Sequence, residues 1–404
     1  MLFGQTVLQS AQKQAGFWVK ESLWFKADCG FLRLKATNSE RMVIIMENSK
    51  RWLVLENGKI FQGTAFGAEG EVSAEVVFST SMTGYCEALT DKGFYGQIVV
   101  QTFPQVGNYG IISEDFESDS IGLKGYIVKD WCQEPSNFRS EGELDTFLKQ
   151  KNVVGIKGID TRSLTKTIRD SGTMNAAITS DPTSVNLDKL KECKVLDAVK
   201  SVSTKEKYTL GDPNAKIKIA LIDYGTKKSM AEELIKRGAF VTVLPYDVKA
   251  AEIKDLNPDG IMLSSGPGEP HDIPEAVSNL KEISEQKIPT MGICLGHLML
   301  ASAMGFEVEE MKYGHRGENQ PVKDMNGGKL YVTAQGHGHM VKSSSIDEKK
   351  AKELFVNVND KTNEGIEYKS IPAITVQFHP EAAGGPLDTL WVFDEFFKLM
   401  GGKN

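Results

Sequence analysis

The spacing of apolar residues divides the chain into two regimes. From residue 46 to about 200, short apolar runs are broken often by Gly, Thr and turn residues, which predicts a mixed α and β domain. MENSKRWLVLENGKIFQG opens it with a strand, an Asn-Gly turn and a second short strand. GIDTRSLTKTIRDSG predicts a helix capped by Asp160, with Leu164 and Ile168 on one face and Gly172 at its end. The polar stretch 201–216, with its Gly-Asp-Pro turn, reads as a linker. Beyond it strands and helices alternate. KIALIDYG, FVTVLPYD, DGIMLSSG and TMGIC read as strands. SMAEELIKRG, the segment from Pro274 that carries Val277, Leu280 and Ile283, and LGHLMLASAMG read as helices. A final helix from about Asp388 to Met400 offers Leu390, Phe393, Phe397 and Met400 as a docking stripe.

Alternation of this kind implies a parallel sheet covered by helices on both faces, with its working site beyond the carboxyl ends of the strands. The expected fold class is α/β: a mixed domain over 46–200, a linker over 201–215 and a parallel-sheet domain over 216–402. A length of 404 residues, 40% hydrophobic and 25% charged, agrees with two globular domains. A net charge of −7 argues against a general nucleic-acid binder. Five cysteines, an odd number without regular spacing, fit reduced thiols in the cytosol better than a disulfide framework. No apolar run approaches the roughly 20 residues that span a bilayer, so a cytoplasmic protein without a membrane partner is expected. The first 45 residues, with Trp18 and Trp24, match neither domain and lack the features of a secretory signal. They are expected to lie outside the fold, as translated sequence upstream of a start at Met46. An organelle-targeting segment is the alternative, and Glu21, Asp28 and Glu40 weigh against it.

Three segments at strand ends of the second domain carry unusual chemistry. Gly292-Ile293-Cys294-Leu295-Gly296-His297 falls between a strand and a helix. A sharp turn there lifts the central side chain out of the sheet, and the helix N-terminus favours a thiolate on Cys294. The plain alternative is a buried, inert cysteine. Phe378-His379-Pro380-Glu381 follows an apolar strand. His379 suits the base that a cysteine nucleophile needs, and Glu381 can hold its imidazole in the right tautomer. Ser264-Ser265-Gly266-Pro267-Gly268-Glu269-Pro270 is a Gly-Pro-Gly turn whose N–H groups could stabilise an oxyanion together with the N–H of Leu295. No Lys-Ser/Thr follows it, so it is not a phosphate-binding glycine loop.

Each signal is modest alone; in this order on one α/β domain the three are specific. SGPGEP, GICLGH and FHPE together resemble the class I glutamine amidotransferase (triad glutaminase) family over about residues 216–402. The resemblance implies a flavodoxin-like domain that hydrolyses glutamine through a γ-glutamyl thioester on Cys294 and delivers ammonia to a partner site. FSTSMTGYCEALTDKGFYGQIVVQTFPQVGNYG, GIDTRSLTKTIRDSG, YGHRGENQPVKD and AQGHG are similar to signature stretches of carbamoyl-phosphate synthetase small subunits. That family implies L-glutamine as substrate and a large synthetase subunit as partner. It implies no cofactor in this chain, since ATP and Mg are used by the partner, and no metal.

The family's substrate contacts map onto Ser81, Gly266, Gly268, Leu295 and Gly338. At three positions this chain departs. Leu298 stands where GICLGHQ has Gln, and in Gln335-Gly336-His337-Gly338-His339 Gly336 replaces an Asn and His339 an aromatic. A lost hydrogen bond to a charged substrate group is worth roughly 1.5–3 kcal/mol, so these changes bear on glutamine affinity more than on chemistry. His337-x-His339 is a weak metal signal, because no further ligand stands at the right spacing. Cys29, Cys86, Cys132 and Cys193 read as passive, His297 as a structural hydrogen-bonder, and His315 and Arg316 as loop or interface residues. Two rival readings stay open. One is a scaffold subunit whose glutamine site has decayed; the other is a γ-glutamyl hydrolase that works without a partner.

Overall fold

The computed structural model describes residues 50–401 and, ahead of them, the backbone of three strands. Those strands, Leu23–Ala27, Gly30–Ala36 and Met42–Met46, form an antiparallel sheet. The chain divides into two compact units, Met1–Lys50 and Arg51–Asn404. Apart from those strands, the expectations for residues 1–45, for Cys29 and for a start at Met46 lie outside the described residues.

The first half of the large unit is a closed barrel of seven strands. Around the barrel run Val154–Lys157, Ile60–Gly67, Lys50–Leu55, Met174–Thr179, Val72–Ser79, Ile98–Gln101 and Gly125–Ile127, the last pairing back with the first. The expected Asn57-Gly58 turn joins two of these strands, with Gly58 at φ 84° and its N–H donating to the Leu55 carbonyl at 2.8 Å. Closure removes the sheet edges and encloses Leu53, Val76, Val100, Ile127, Ile156 and Ile178. The helix Thr161–Ser171 begins and ends where its caps predict: Asp160 accepts from Ser163 N–H at 2.9 Å, and Gly172 takes φ 100°. Its Leu164 and Ile168 belong to the same buried cluster.

The second half is a ten-stranded sheet. Five strands at its centre are parallel, in the order Ala239–Pro245, Ile217–Asp223, Gly260–Leu263, Thr290–Ile293 and Ala373–Val376. Alternate residues of one strand enter two different cores. Ala220 and Ile222 meet the helices Pro274–Ser284 and Leu295–Ala303 on one face. Ile219 and Leu221 meet Lys228–Lys236 and Trp391–Leu399 on the other. That double coverage is why these strands read as continuous apolar runs.

Three details differ from the pattern read along the chain. The polar stretch 201–216 supplies an edge strand, Tyr208–Leu210, antiparallel to Ala239–Pro245, so it extends the sheet as well as joining the halves. An antiparallel extension follows the parallel core: Asn363–Tyr368, Ala351–Asn357, and the long hairpin Val308–Asp324 with Leu330–Val341. On the last helix Val392, Phe393 and Phe396 are buried, while Leu390, Phe397 and Met400 lie at the margin. The stripe is turned so that Val392, Phe393 and Phe396 enter the core, and Arg237 stacks over Phe393 and pairs with Asp394 at 2.7 Å.

Candidate active site

Thr290–Ile293 ends at Cys294, and the helix Leu295–Ala303 starts at the next residue. Cys294 sits in that turn at φ 54°, ψ −107°, which is strained for a residue with a side chain. The strain is possible because both flanking glycines are in close contact with backbone. A Cβ on Gly292 would lie 2.8 Å from the Gly296 carbonyl oxygen, and one on Gly296 would run into the carbonyl of Leu263. Leu295, the first residue of the helix, has no intrahelical acceptor for its N–H, which is left facing the site. Gly266 adjoins it, since a Cβ there would lie 3.1 Å from Leu295 Cδ2.

Past the end of Ala373–Val376, His379 donates from Nδ1 to Glu381 Oε1 at 2.7 Å, and the sulfur of Cys294 is close enough for its charge to act on the imidazole. Both His379 and Glu381 are 3% exposed. Burial and the nearby Lys227 pull the imidazole's pKa down, but the carboxylate of Glu381 and the sulfur of Cys294 outweigh them and raise it. Burial pushes Glu381 up, and the charges of His379 and Lys227 bring it below its ordinary value. The arrangement has the chemistry of a nucleophile, a base and a carboxylate that could orient the base.

Two adjoining cavities meet at this triad. Gly266, Gly268, Cys294, Leu295, Leu298, Gly336, Gly338 and His339 line the first, so the structure brings together most of the residues expected to touch substrate. Ser81 is placed differently. It lines the second cavity, beside His379 and Gln335, where its Oγ accepts from Ser79 at 3.1 Å. Gly336 borders both cavities.

Both halves of the chain match known family models. Residues 53–178 match the carbamoyl-phosphate synthase small chain, CPSase domain, and residues 220–399 match the class-I glutamine amidotransferase. The carbamoyl phosphate synthase small chain of Clostridium perfringens is 48% identical over 351 residues, covering 86% of this chain and 99% of that protein. That of Listeria monocytogenes is 45% identical, covering 88% of this chain and 98% of its own length. This chain belongs to the carbamoyl-phosphate synthase small-chain family. A small-chain relative from Bacillus cereus, 46% identical, covers 87% of this chain and 96% of its own length.

The small-chain fold also brings in charged residues that the sequence reading passed over. Lys227, at the end of Ile217–Asp223, places its amine 3.2 Å from Asp91 and 3.6 Å from Glu381. Burial opposes its charge, but Asp91, Glu381 and Glu117 more than compensate and raise its pKa. A lysine just past the carboxyl end of a central parallel strand was the available signal. Glu318 and Glu87 line the second cavity, and burial pushes Glu318 up to about 8 and Glu87 to about 7.

The remaining histidines have structural partners. His297 is fully buried, pairs with Thr375 Oγ1 at 2.8 Å, and is pushed down to about 3 by burial alone. His315 lies between Asp360 at 2.8 Å and Glu364 at 3.2 Å. Burial lowers its pKa, and the two carboxylates raise it to about 9, so both ring nitrogens donate. His315, His337 and Glu364 offer ligand atoms within 4.8 Å of one another. His337 pairs with the His339 carbonyl and Gln335, and Glu364 with Gln335 and Asn357. His339 instead faces Glu269 at 3.7 Å. Cys86 is buried and its thiol is pushed up to about 12, in keeping with a passive role.

Proposed function

We propose that this chain hydrolyses L-glutamine to glutamate and ammonia and passes the ammonia to a large synthetase subunit, which makes carbamoyl phosphate from bicarbonate. The observation that carries this reading is Cys294 on a strained strand-to-helix turn, beside the buried and hydrogen-bonded His379–Glu381 pair. His379 takes the thiol proton, and the sulfur of Cys294 attacks the side-chain amide carbon. The N–H groups of Leu295 and Gly266 face the oxygen on which negative charge develops. His379 then gives its proton to the leaving nitrogen, and ammonia departs from a γ-glutamyl thioester. It next takes a proton from water, whose oxygen attacks the thioester, and glutamate is released as the thiol is restored.

Glu381 keeps the imidazole in one tautomer through both halves of the cycle. Glutamine occupies the cavity lined by Gly266, Gly268 and Gly338. Ser81 reaches the reaction centre from the His379 side. ATP and Mg belong to the large subunit, and the complex works in the cytoplasm. Among the described residues no helix is long and apolar enough to cross a membrane.

The test is glutamate release from glutamine by the chain alone and with its large subunit, beside Cys294→Ser. Turnover that rises with the partner and its substrates, and vanishes in the variant, is the expected result. If wild type and variant are equally silent while the complex still makes carbamoyl phosphate from ammonium, the chain is a scaffold. Leu298 and Gly336, which offer no polar side chain where the family has Gln and Asn, would then be the reason.

A further inference from the structure

Arg316 stands in the strand Val308–Asp324, paired in register with Gly336 of the neighbouring strand. It is 5% exposed and lines the substrate cavity beside Cys294, Leu298, Gly336 and Gly338. Its guanidinium uses one donor within the protein, from Nη1 to the Tyr313 carbonyl at 2.9 Å. Among the described residues no carboxylate pairs with it directly, and Glu75, across the same cavity, is the carboxylate whose charge reaches it. Nη2 points beneath the cavity floor formed by Gly338, where it would lie 3.0 Å from an added Cβ. Across the strand pair Gly336 has no side chain to cover it, and a Cβ there would meet only His379 Nε2, at 3.9 Å.

A guanidinium has five N–H donors and stays charged in proteins. Burying such a cation without a directly paired anion is costly, and an anion that arrives with a ligand would offset that cost. The substrate proposed above brings a carboxylate four bonds from the carbon that Cys294 attacks, roughly 5 Å away in an extended chain. Arg316 is near enough to Cys294 for its charge and that of the sulfur to act on each other. Asp272 and Glu310 line the same cavity and supply the negative potential that an α-ammonium group needs. With Leu298 and Gly336 offering no polar side chain, a fork of two parallel N–H···O bonds is the strongest contact this wall can make.

We infer that Arg316 is the residue that binds the α-carboxylate of glutamine, and so restricts the site to γ-amides that carry a free α-carboxylate. This rests on the glutaminase reading for the choice of ligand, but it is tested by binding rather than by turnover. The full chain carrying Cys294→Ser is titrated calorimetrically with L-glutamine and with L-glutamine α-amide, whose carboxylate is a neutral carboxamide. Glutamine is expected to bind about 10- to 100-fold more tightly than the amide. Adding Arg316→Gln removes the preference, and Arg316→Lys keeps part of it, since an ammonium retains the charge but loses the fork.

Equal binding of the two ligands, or of neither, by the Cys294→Ser chain overturns the inference without recourse to any variant at 316. A preference that survives Arg316→Gln overturns it too. In the active chain, Arg316→Lys should raise KM for glutamine at least tenfold with kcat changed less than threefold. A fall in kcat of the same size on both substrates would mean that Arg316 acts through Cys294, and the assignment fails. If no glutamine is hydrolysed but carboxylate-dependent binding through Arg316 is seen, the proposed function falls and Arg316 keeps its role.

Discussion

Replacing Lys227 with methionine would remove a buried ammonium that holds carboxylates from both halves of the molecule together. The amine lies 3.2 Å from Asp91 and 3.6 Å from Glu381, and its side chain is 12% exposed. At an effective dielectric of about 20, each contact is worth about 5 kcal/mol of Coulomb attraction before desolvation is subtracted. Methionine fills similar volume but removes the cation that Asp91, Glu117 and Glu381 share, leaving only His379 beside Glu381. Breaking a buried pair by removing one partner costs about 3–5 kcal/mol, and that is the expected loss in urea unfolding at pH 7.

The pH dependence gives a second check. Burial already raises the pKa of Glu117, and losing Lys227, the first charge that opposes the rise, lifts it further above its unfolded value. The folded state then binds more protons, and the variant's stability falls as pH rises through the raised value. The deficit against wild type should shrink between pH 7 and pH 5, and Asp91→Asn added to Lys227→Met should recover part of it. A loss below 1 kcal/mol that does not change with pH would refute the account of Lys227 as the counter-charge of this cluster.

Glu381→Gln should lower kcat for glutamine hydrolysis by roughly 10²–10⁴-fold with a smaller change in KM, because the amide can hold His379 in the wrong tautomer; steady-state kinetics decides this. Gly296→Ala puts a Cβ against the Leu263 carbonyl and should cost about 1–3 kcal/mol in thermal or urea unfolding. Leu298→Gln restores a polar side chain to the cavity wall, and KM for glutamine should fall by up to about tenfold, read from initial rates. His315 has a folded pKa near 9, above its unfolded value, because Asp360 and Glu364 outweigh burial. Its stabilisation is therefore complete below about pH 6.5 and lost as pH rises toward 9, on the order of 2–3 kcal/mol. Melting curves of wild type and His315→Gln should converge over that interval.

The triad and its setting were legible in the chain because they depend on short-range rules. A strand-to-helix turn needs Gly292 and Gly296 whatever surrounds it, and Glu381 reaches His379 because only one residue separates them. The alternation of apolar strands and helices likewise implied a doubly covered parallel sheet, since burial on both faces leaves a continuous apolar run. The helix Thr161–Ser171 could be bounded by its caps, Asp160 and Gly172, because capping is local.

What only the tertiary structure decided is long-range charge and register. Lys227 reads along the chain as one more lysine ahead of a helix, until folding sets it against Asp91 from the other half. Arg316 sits in a polar stretch that predicts a loop. The hairpin Val308–Asp324 with Leu330–Val341 makes it a strand residue in register with Gly336, lining the cavity beside Cys294. Ser81, expected from the N-terminal half to touch the substrate, lines the cavity that also holds His379. Electrostatic pairing has no sequence period. A charge costs little in the unfolded chain and becomes decisive only when burial removes its water.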